Sequence, residues 1–229
     1  VALVHSGEAQ ALMKGSLHTD EILAEVVKKD GGLRTERRIS HCFLLSVPTF
    51  TRWIIITDAA INIAPTLDDK RDIIQNAIDL ARAIGITEPK VAIVSAVETV
   101  TNKIPSTLEA AALCKMADRD QIVGGLVDGP LALDNAIDEQ AAKTKGIHSP
   151  VAGKADILVV PNMEAGNMLA KQLTFMADAE AAGLVIGARV PIILTSRADS
   201  ARARLASCAV AVLFAEAQRQ GLSLQKPQG

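Results

Sequence analysis

Three stretches of this chain set small, polar or charged residues directly behind strand-forming side chains. They are Leu12-Met-Lys-Gly-Ser-Leu-His-Thr19, Val160-Pro-Asn-Met-Glu-Ala-Gly-Asn167 and Leu194-Thr-Ser-Arg-Ala-Asp-Ser200. Open α/β sheets bind ligands at the carboxyl ends of their strands, where helix N-termini and loose backbone N–H groups converge. In the first stretch Gly15 lets the backbone approach an anion, with Ser16, Thr19 and Lys14 as donors. On spacing alone a plain turn and helix cap is the commoner reading of the same residues. In the second, Asn162, Glu164 and Asn167 are costly choices beside a buried strand, and a turn is the competing reading. In the third, Ser196 follows a strand at once and Arg197 offers a planar fork suited to phosphate or carboxylate. Asp199 or Ser200 then caps the next helix. Arg197, Arg202 and Arg204 make the start of that helix positive next to an already positive dipole end, which favours an anionic ligand. The alternative is a surface pair between Arg197 and Asp199, worth about 0–1 kcal/mol.

Other candidates are weaker. Arg34, Arg37 and Arg38, after Asp30-Gly-Gly32, read as a solvated charge run, with guidance of a polyphosphate tail as the alternative. His18 and His41 have the chemistry of acid–base groups, but a hydrogen-bonded structural histidine is the commoner outcome. Cys42 and Cys208 read as small apolar fillers. No two glycines stand two apart, so the dinucleotide fingerprint is absent. Gly153-Lys154 is followed by Ala155, not by a hydroxyl, and there is no G-x-S-x-G elbow. The four histidines lack metal-ligand spacing, and Cys42, Cys114 and Cys208 form no C-x-x-C. Such cysteine usage fits a reducing, cytoplasmic compartment.

The elements that must carry these residues alternate. Pro89–Ser95, Ala155–Pro161 and Val190–Ser196 are short, continuously apolar and branched, as strands buried on both faces of a parallel sheet are. Thr66 with Asp69 predicts a capped helix start, followed by Ile73, Ile74, Ala77, Ile78, Ala81 and Ile84 on one face and closed by Gly85. A second helix runs from Ser106 to Met116 and an Ala-rich one from Ser200 to Gln220. Cys42–Val47 and Trp53–Thr57, five residues apart around a proline, predict an antiparallel pair. Gly124–Pro130 reads as a turn-rich connector. Strand and helix in alternation are the pattern of an α/β fold.

Composition agrees. Of 229 residues 49% are hydrophobic and 22% charged, with net charge −2, which excludes an intrinsically disordered chain and a basic field for nucleic acid. Aromatic residues make up 2%, too few for a base-stacking platform. The longest apolar run, near Ala209–Ala215, falls far short of the ~18 residues that cross a membrane. The chain opens Val-Ala-Leu with no signal-peptide pattern, in what reads as mid-element sequence, so residues are expected upstream.

Taken in order, Lys14–Thr19, Thr57-Asp-Ala-Ala-Ile-Asn-Ile-Ala-Pro65, Asn162–Asn167 and Thr195–Ser200 resemble the phosphate acetyl/butyryltransferases. The nearest likeness is to the acyltransferase half of bifunctional enoyl-CoA hydratase/phosphate acetyltransferases. The resemblance implies reversible transfer of an acyl group from CoA to phosphate, with acyl-CoA as substrate and neither metal nor covalent cofactor. It also implies a cytoplasmic homodimer of two-domain α/β subunits, similar in fold to isocitrate and isopropylmalate dehydrogenases, with mostly parallel sheets flanked by helices. Residues 57–195 would form an inserted second domain, with 1–56 and 196–229 in the first, and the site in the cleft between them. By motif, Ser196 matches the serine that stabilises the reacting centre and Arg197 the phosphate-binding arginine. Lys14, Gly15, Ser16, His18, Thr19, Asn62, Asn162, Glu164, Gly166 and Asn167 would bind substrate. The pattern departs at two places. Ala203 stands where the acetyltransferases carry an Asp proposed as base, leaving Asp199 as the substitute, and Glu25 stands in place of an Arg. These departures fit a butyryl-type or broader acyltransferase. They also keep open a non-catalytic CoA- or anion-binding module of the same fold. A decarboxylating dehydrogenase of similar fold is remote, since its cluster of metal-binding aspartates is missing.

Overall fold

The computed structural model describes residues 1–196 and 199–221. The chain begins with α1 (Ala2–His5), β1 (Leu12–Met13), α2 (Thr19–Val26), β2 (Ser40–Ser46), β3 (Trp53–Thr57) and α3 (Leu67–Ala83). It continues through β4 (Lys90–Val94), α4 (Pro105–Ala117), β5 (Leu126–Leu131), α5 (Leu133–Ile137) and α6 (Glu139–Thr144). It ends with β6 (Ile157–Val159), α7 (Met163–Met176), β7 (Glu180–Ile186), β8 (Ile192–Ile193) and α8 (Ala201–Arg219). Among the described residues the strands form one sheet in the order β1-β8-β7-β2-β3-β6-β4-β5.

Local signals account for most of these elements. At the start of α3 the Asp69 N–H donates to Thr66 Oγ1 at 3.2 Å and the Thr66 N–H to Asp69 Oδ2 at 3.0 Å, the reciprocal cap expected there. Ile73, Ile74, Ala77, Ile78 and Ala81 are buried on its inward face, and Gly85 closes the helix at φ +99°. Ser200 caps α8 by accepting the Ala203 N–H at 3.1 Å. β2 and β3 pair antiparallel, with Cys42 opposite Thr57 and Ser46 opposite Trp53. β4 and β6 are parallel neighbours in the sheet interior.

The 124–130 stretch corrects its expectation, because residues 126–131 form β5 instead of a connector. Its Gly and Pro are tolerated because β5 is the outermost strand, where a missing N–H donor costs least. Gly129 is also required by closeness: a Cβ there would stand 2.7 Å from the Ile93 carbonyl oxygen.

The strand directions matter for the site. β3, β6, β4 and β5 are mutually parallel and derive from residues 53–159. β2 runs against both β3 and β7, and β8 runs against β7 while pairing parallel with β1. Three reversals therefore separate β8 from β3, and the two strands point in opposite directions. One apolar layer on the sheet joins Ile74, Ile78 and Leu80 of α3 with Leu113 of α4 and Val210 and Phe214 of α8. The opposite layer gathers Leu45, Ile56, Leu158, Leu131 and Val151. A smaller cluster, Val26, Leu33, Val185 and Ile192, seats α2 beside the β1–β8 edge.

Candidate functional site

The first and last of the three stretches leave the sheet side by side. Leu12 pairs with Ile192 and Met13 with Ile193, and the Lys14 N–H extends the ladder to the Ile193 carbonyl at 3.0 Å. Lys14 is buried, and its ammonium donates to the carbonyls of Leu17 (3.1 Å) and Gly15 (3.4 Å), bracing its own loop. Gly15 and Ser16 are exposed, with open space around the Gly15 Cα. His18 stands at the N-cap of α2, its N–H donating to Glu21 Oε2 at 2.7 Å, and Thr19 is the first helical residue. On the neighbouring loop Thr195 is buried and Ser196 exposed. The Ser196 N–H donates to Asp199 Oδ2 at 2.7 Å and the Asp199 N–H returns to the Ser196 carbonyl at 3.1 Å, so these two residues are tied to each other ahead of α8. Arg197 lies outside the described residues. Of the other arginines at this helix start, Arg202 pairs with Glu180 at 3.0 Å on the surface.

The remaining residues gather around a different pair of strand ends, those of β3 and β6. Their centre is Asp58, buried just past β3. Its Oδ1 accepts the N–H groups of Ala60 and Ile61, both at 2.9 Å. Its Oδ2 accepts from His41 N (3.2 Å), Asn62 N (3.3 Å) and Asn62 Nδ2 (2.6 Å). Asn62 also donates to the Ile39 carbonyl (2.9 Å) and accepts from Arg38 Nε (2.7 Å). Asn162 caps α7 through the Ala165 N–H at 3.0 Å, and Asn167 Nδ2 donates to the Ala59 carbonyl at 3.1 Å. Gly166 is buried where a Cβ would stand 2.8 Å from the Asp58 carbonyl oxygen. Glu164 is exposed in the first turn of α7, where an acid suits the helix dipole. Asn62, Asn162, Gly166 and Asn167 thus do structural work at this end of the sheet, holding one loop against another.

The single crevice expected from sequence is therefore two loop pairs. Lys14, Gly15, Ser16, His18 and Thr19 accompany Ser196 and Asp199. Asn62 accompanies Asn162, Glu164, Gly166 and Asn167. The pairs leave the sheet in opposite directions because β1 and β8 run against β3 and β6. His41 on β2 stands between them electrostatically. Burial lowers its pKa to about 4, while Asp58 of one pair and Asp199 of the other both act to raise it. Cys42 beside it is a filler as expected, its thiol pushed up to about 12 by burial.

The arginine run departs from expectation. Arg37 forms an ion pair with Asp79, whose carboxyl burial pushes above its ordinary range despite the nearby guanidinium. Arg38 is held by Asn62, by Asp69 at 3.5 Å and, through its N–H, by Asp72 at 2.9 Å. Arg37, Arg38, Asp69 and Asp72, with Leu23, Val27, Ile61 and Arg71, line a groove of about 530 Å³ that contains Asn62 but none of the described residues of loop 194–200. Sequence reasoning missed the central part of Asp58. The usable signal was an acid ending the apolar run Ile54–Ile56, since such a charge must find donors. Among the described residues no group of three or more His, Cys, Asp or Glu is arranged to hold a metal. No described helix is long and apolar enough to cross a membrane.

Comparison with known proteins identifies the family. The family model described as phosphate acetyl/butaryl transferase matches residues 1–212. The chain is 68% identical to a phosphate acetyltransferase of Rhizobium meliloti over 96% of its own length and 69% of that protein's. It is 47% identical to a phosphate butyryltransferase of Clostridium acetobutylicum, over 94% of this chain and 71% of that one. Among solved structures, a branched-chain phosphotransacylase from Enterococcus faecalis superposes with TM-score 0.86 at 37% identity, covering 93% of this chain and 76% of the other. A 4-hydroxythreonine-4-phosphate dehydrogenase from Klebsiella pneumoniae shares the fold alone, with TM-score 0.50 and 14% identity over 93% of this chain and 67% of that one. The chain spans 60 to 69% of the length of the four phosphate acetyltransferases it matches at 59% identity or above. A match over nearly the whole chain means that this chain belongs to the phosphate acetyl/butyryltransferase family of acyltransferases.

Proposed function

We propose that this chain catalyses acyl-CoA + phosphate → acyl phosphate + CoA by direct attack of phosphate on the thioester, with acetyl or butyryl-type acyl groups. A phosphate oxygen forms the new bond to the carbonyl carbon, the carbonyl electrons move onto oxygen, and the C–S bond breaks as they return. The proton released from phosphate ends on the CoA thiolate. Such a reaction needs the incoming charge held and the developing oxyanion met by fixed donors. The reading assigns these tasks to Ser196 and Arg197, with Asp199 as the base standing in for the family Asp replaced by Ala203. Lys14, Gly15, Ser16, His18 and Thr19 hold substrate from the adjacent loop. Asn62, Asn162, Glu164, Gly166 and Asn167 shape the second loop pair, toward the CoA.

The observation that carries this reading is the parallel pairing of β1 with β8, which brings the Lys14–Thr19 and Ser196–Asp199 loops out of the sheet together. We extend the proposal to a cytoplasmic homodimer and to two bodies, 1–56 plus 196–229 and 57–195.

The test is phosphate-dependent CoA release from acetyl-CoA and butyryl-CoA, with wild type and Ser196→Ala. Loss of one transition-state donor is expected to lower kcat by about 10²–10³-fold. Equal rates for variant and wild type would remove Ser196 from the mechanism. Tight CoA binding without turnover on any acyl-CoA would favour a binding module.

A further inference from the structure

We propose that His41 is a positioning residue for the loop that carries Ser196 and Asp199, acting through a buried imidazole packed over Gly183, the residue that backs the chain entering that loop. The inference rests on the reading above, which places phosphate at Ser196. His41 is 1% exposed, and its Nδ1 has no hydrogen-bond partner among the described residues. A buried polar atom without a partner costs roughly 1–3 kcal/mol, and an apolar ring of the same size would not incur that cost. Stability alone therefore does not select histidine here.

The geometry shows what it touches. The backbone at His41 is pinned, its N–H donating to Asp58 Oδ2 and its carbonyl accepting from Thr57 Oγ1 at 2.9 Å. The ring stands edge-to-face on Phe43, with centroids 4.3 Å apart. On the next strand, the point where Gly183 would carry a Cβ lies 3.1 Å from His41 Nε2 and 2.8 Å from the Leu194 carbonyl oxygen. The imidazole and the carbonyl thus share the space that the missing side chain leaves. Leu194 is two residues before Ser196. The same glycine donates its N–H to Ser207 Oγ at 3.0 Å, and Ser207 donates to the Ala203 carbonyl at 2.8 Å in the first turns of α8. Gly183 is therefore fixed to the helix on one side of the loop and backs the strand end on the other.

The experiment compares His41→Phe, His41→Gln (which keeps a donor near Nε2) and His41→Asn (which keeps one near Nδ1). Urea unfolding and the KM for phosphate and for acyl-CoA are measured separately. His41→Phe is expected to unfold no earlier than wild type yet lose about 10²-fold in kcat/KM for phosphate, as a displaced loop would, with acyl-CoA KM unchanged and recovery in His41→Gln. Wild-type constants in folded His41→Phe, or equal changes in both KM values, overturn the proposal. If His41→Phe fails to fold, impairment confined to His41→Asn supports it and equal behaviour of Asn and Gln overturns it. If the wild type shows no turnover, the functional reading fails on its own. Amide exchange over residues 194–200 then decides: faster exchange in the variants supports positioning and unchanged exchange refutes it.

Discussion

Replacing Asp58 by Asn removes a charge and one acceptor from a carboxylate that is 3% exposed and receives five hydrogen bonds. The amide must set its NH₂ where one oxygen stood. At the Oδ2 position it would face three donors, from His41 and twice from Asn62, so the favoured orientation puts it at Oδ1 against the N–H groups of Ala60 and Ile61. Both of those bonds are then lost. Ala60 and Ile61 are half-buried, so each orphaned N–H is charged at the lower end of the usual ~1–3 kcal/mol, and the loss of charge assistance brings the total to about 3 kcal/mol. The measurement is equilibrium urea unfolding at neutral pH, where an unchanged slope and a lowered midpoint identify a stability effect. A loss under about 1 kcal/mol would refute the idea that this carboxylate organises the β3 loop.

Two further predictions follow from the same structure. Burial lowers the His41 pKa from 6.5 to about 4, so between those values the unfolded chain binds the extra proton and stability rises with pH. Stability is then full above pH 6.5 and falls by about 3 kcal/mol on descending to pH 4, and His41→Phe should flatten that limb in unfolding curves taken across the window. Gly166→Ala gains about 1 kcal/mol in helix propensity, but the new Cβ meets the Asp58 carbonyl oxygen and Val160 Cγ2 at 2.8 Å. Overpacking against backbone costs about 1–3 kcal/mol, so the melting temperature should fall, and a rise would show that α7 is free to move off the β3 loop.

Several parts of the fold were legible without coordinates because they depend on neighbours in sequence. The cap at Thr66 and Asp69, the face of α3, the glycine at its end and the antiparallel β2–β3 pair all rest on contacts within about fifteen residues of one another. β5 was not legible, since Gly129 and Pro130 argue against a strand until the strand is known to be outermost and pressed against Ile93. The arginine run was misread for a similar reason. Arg37 and Arg38 find Asp79, Asp69 and Asn62 far along the chain, and nothing local announces those partners.

At the candidate site the division is the same. The residue types alone marked Lys14–Thr19, Asn162–Asn167 and Ser196–Asp199 as loops behind strands, because chain-local chemistry sets where a strand stops and a helix is capped. Strand direction decided which of these loops meet. Direction is a property of the assembled sheet, fixed by backbone hydrogen bonds between residues such as Lys14 and Ile193, some 180 positions apart in the chain. The burial of His41 over Gly183 belongs to the same class, as it needs β2, β7 and the strand-end of β8 to be brought together before the histidine has any surroundings at all.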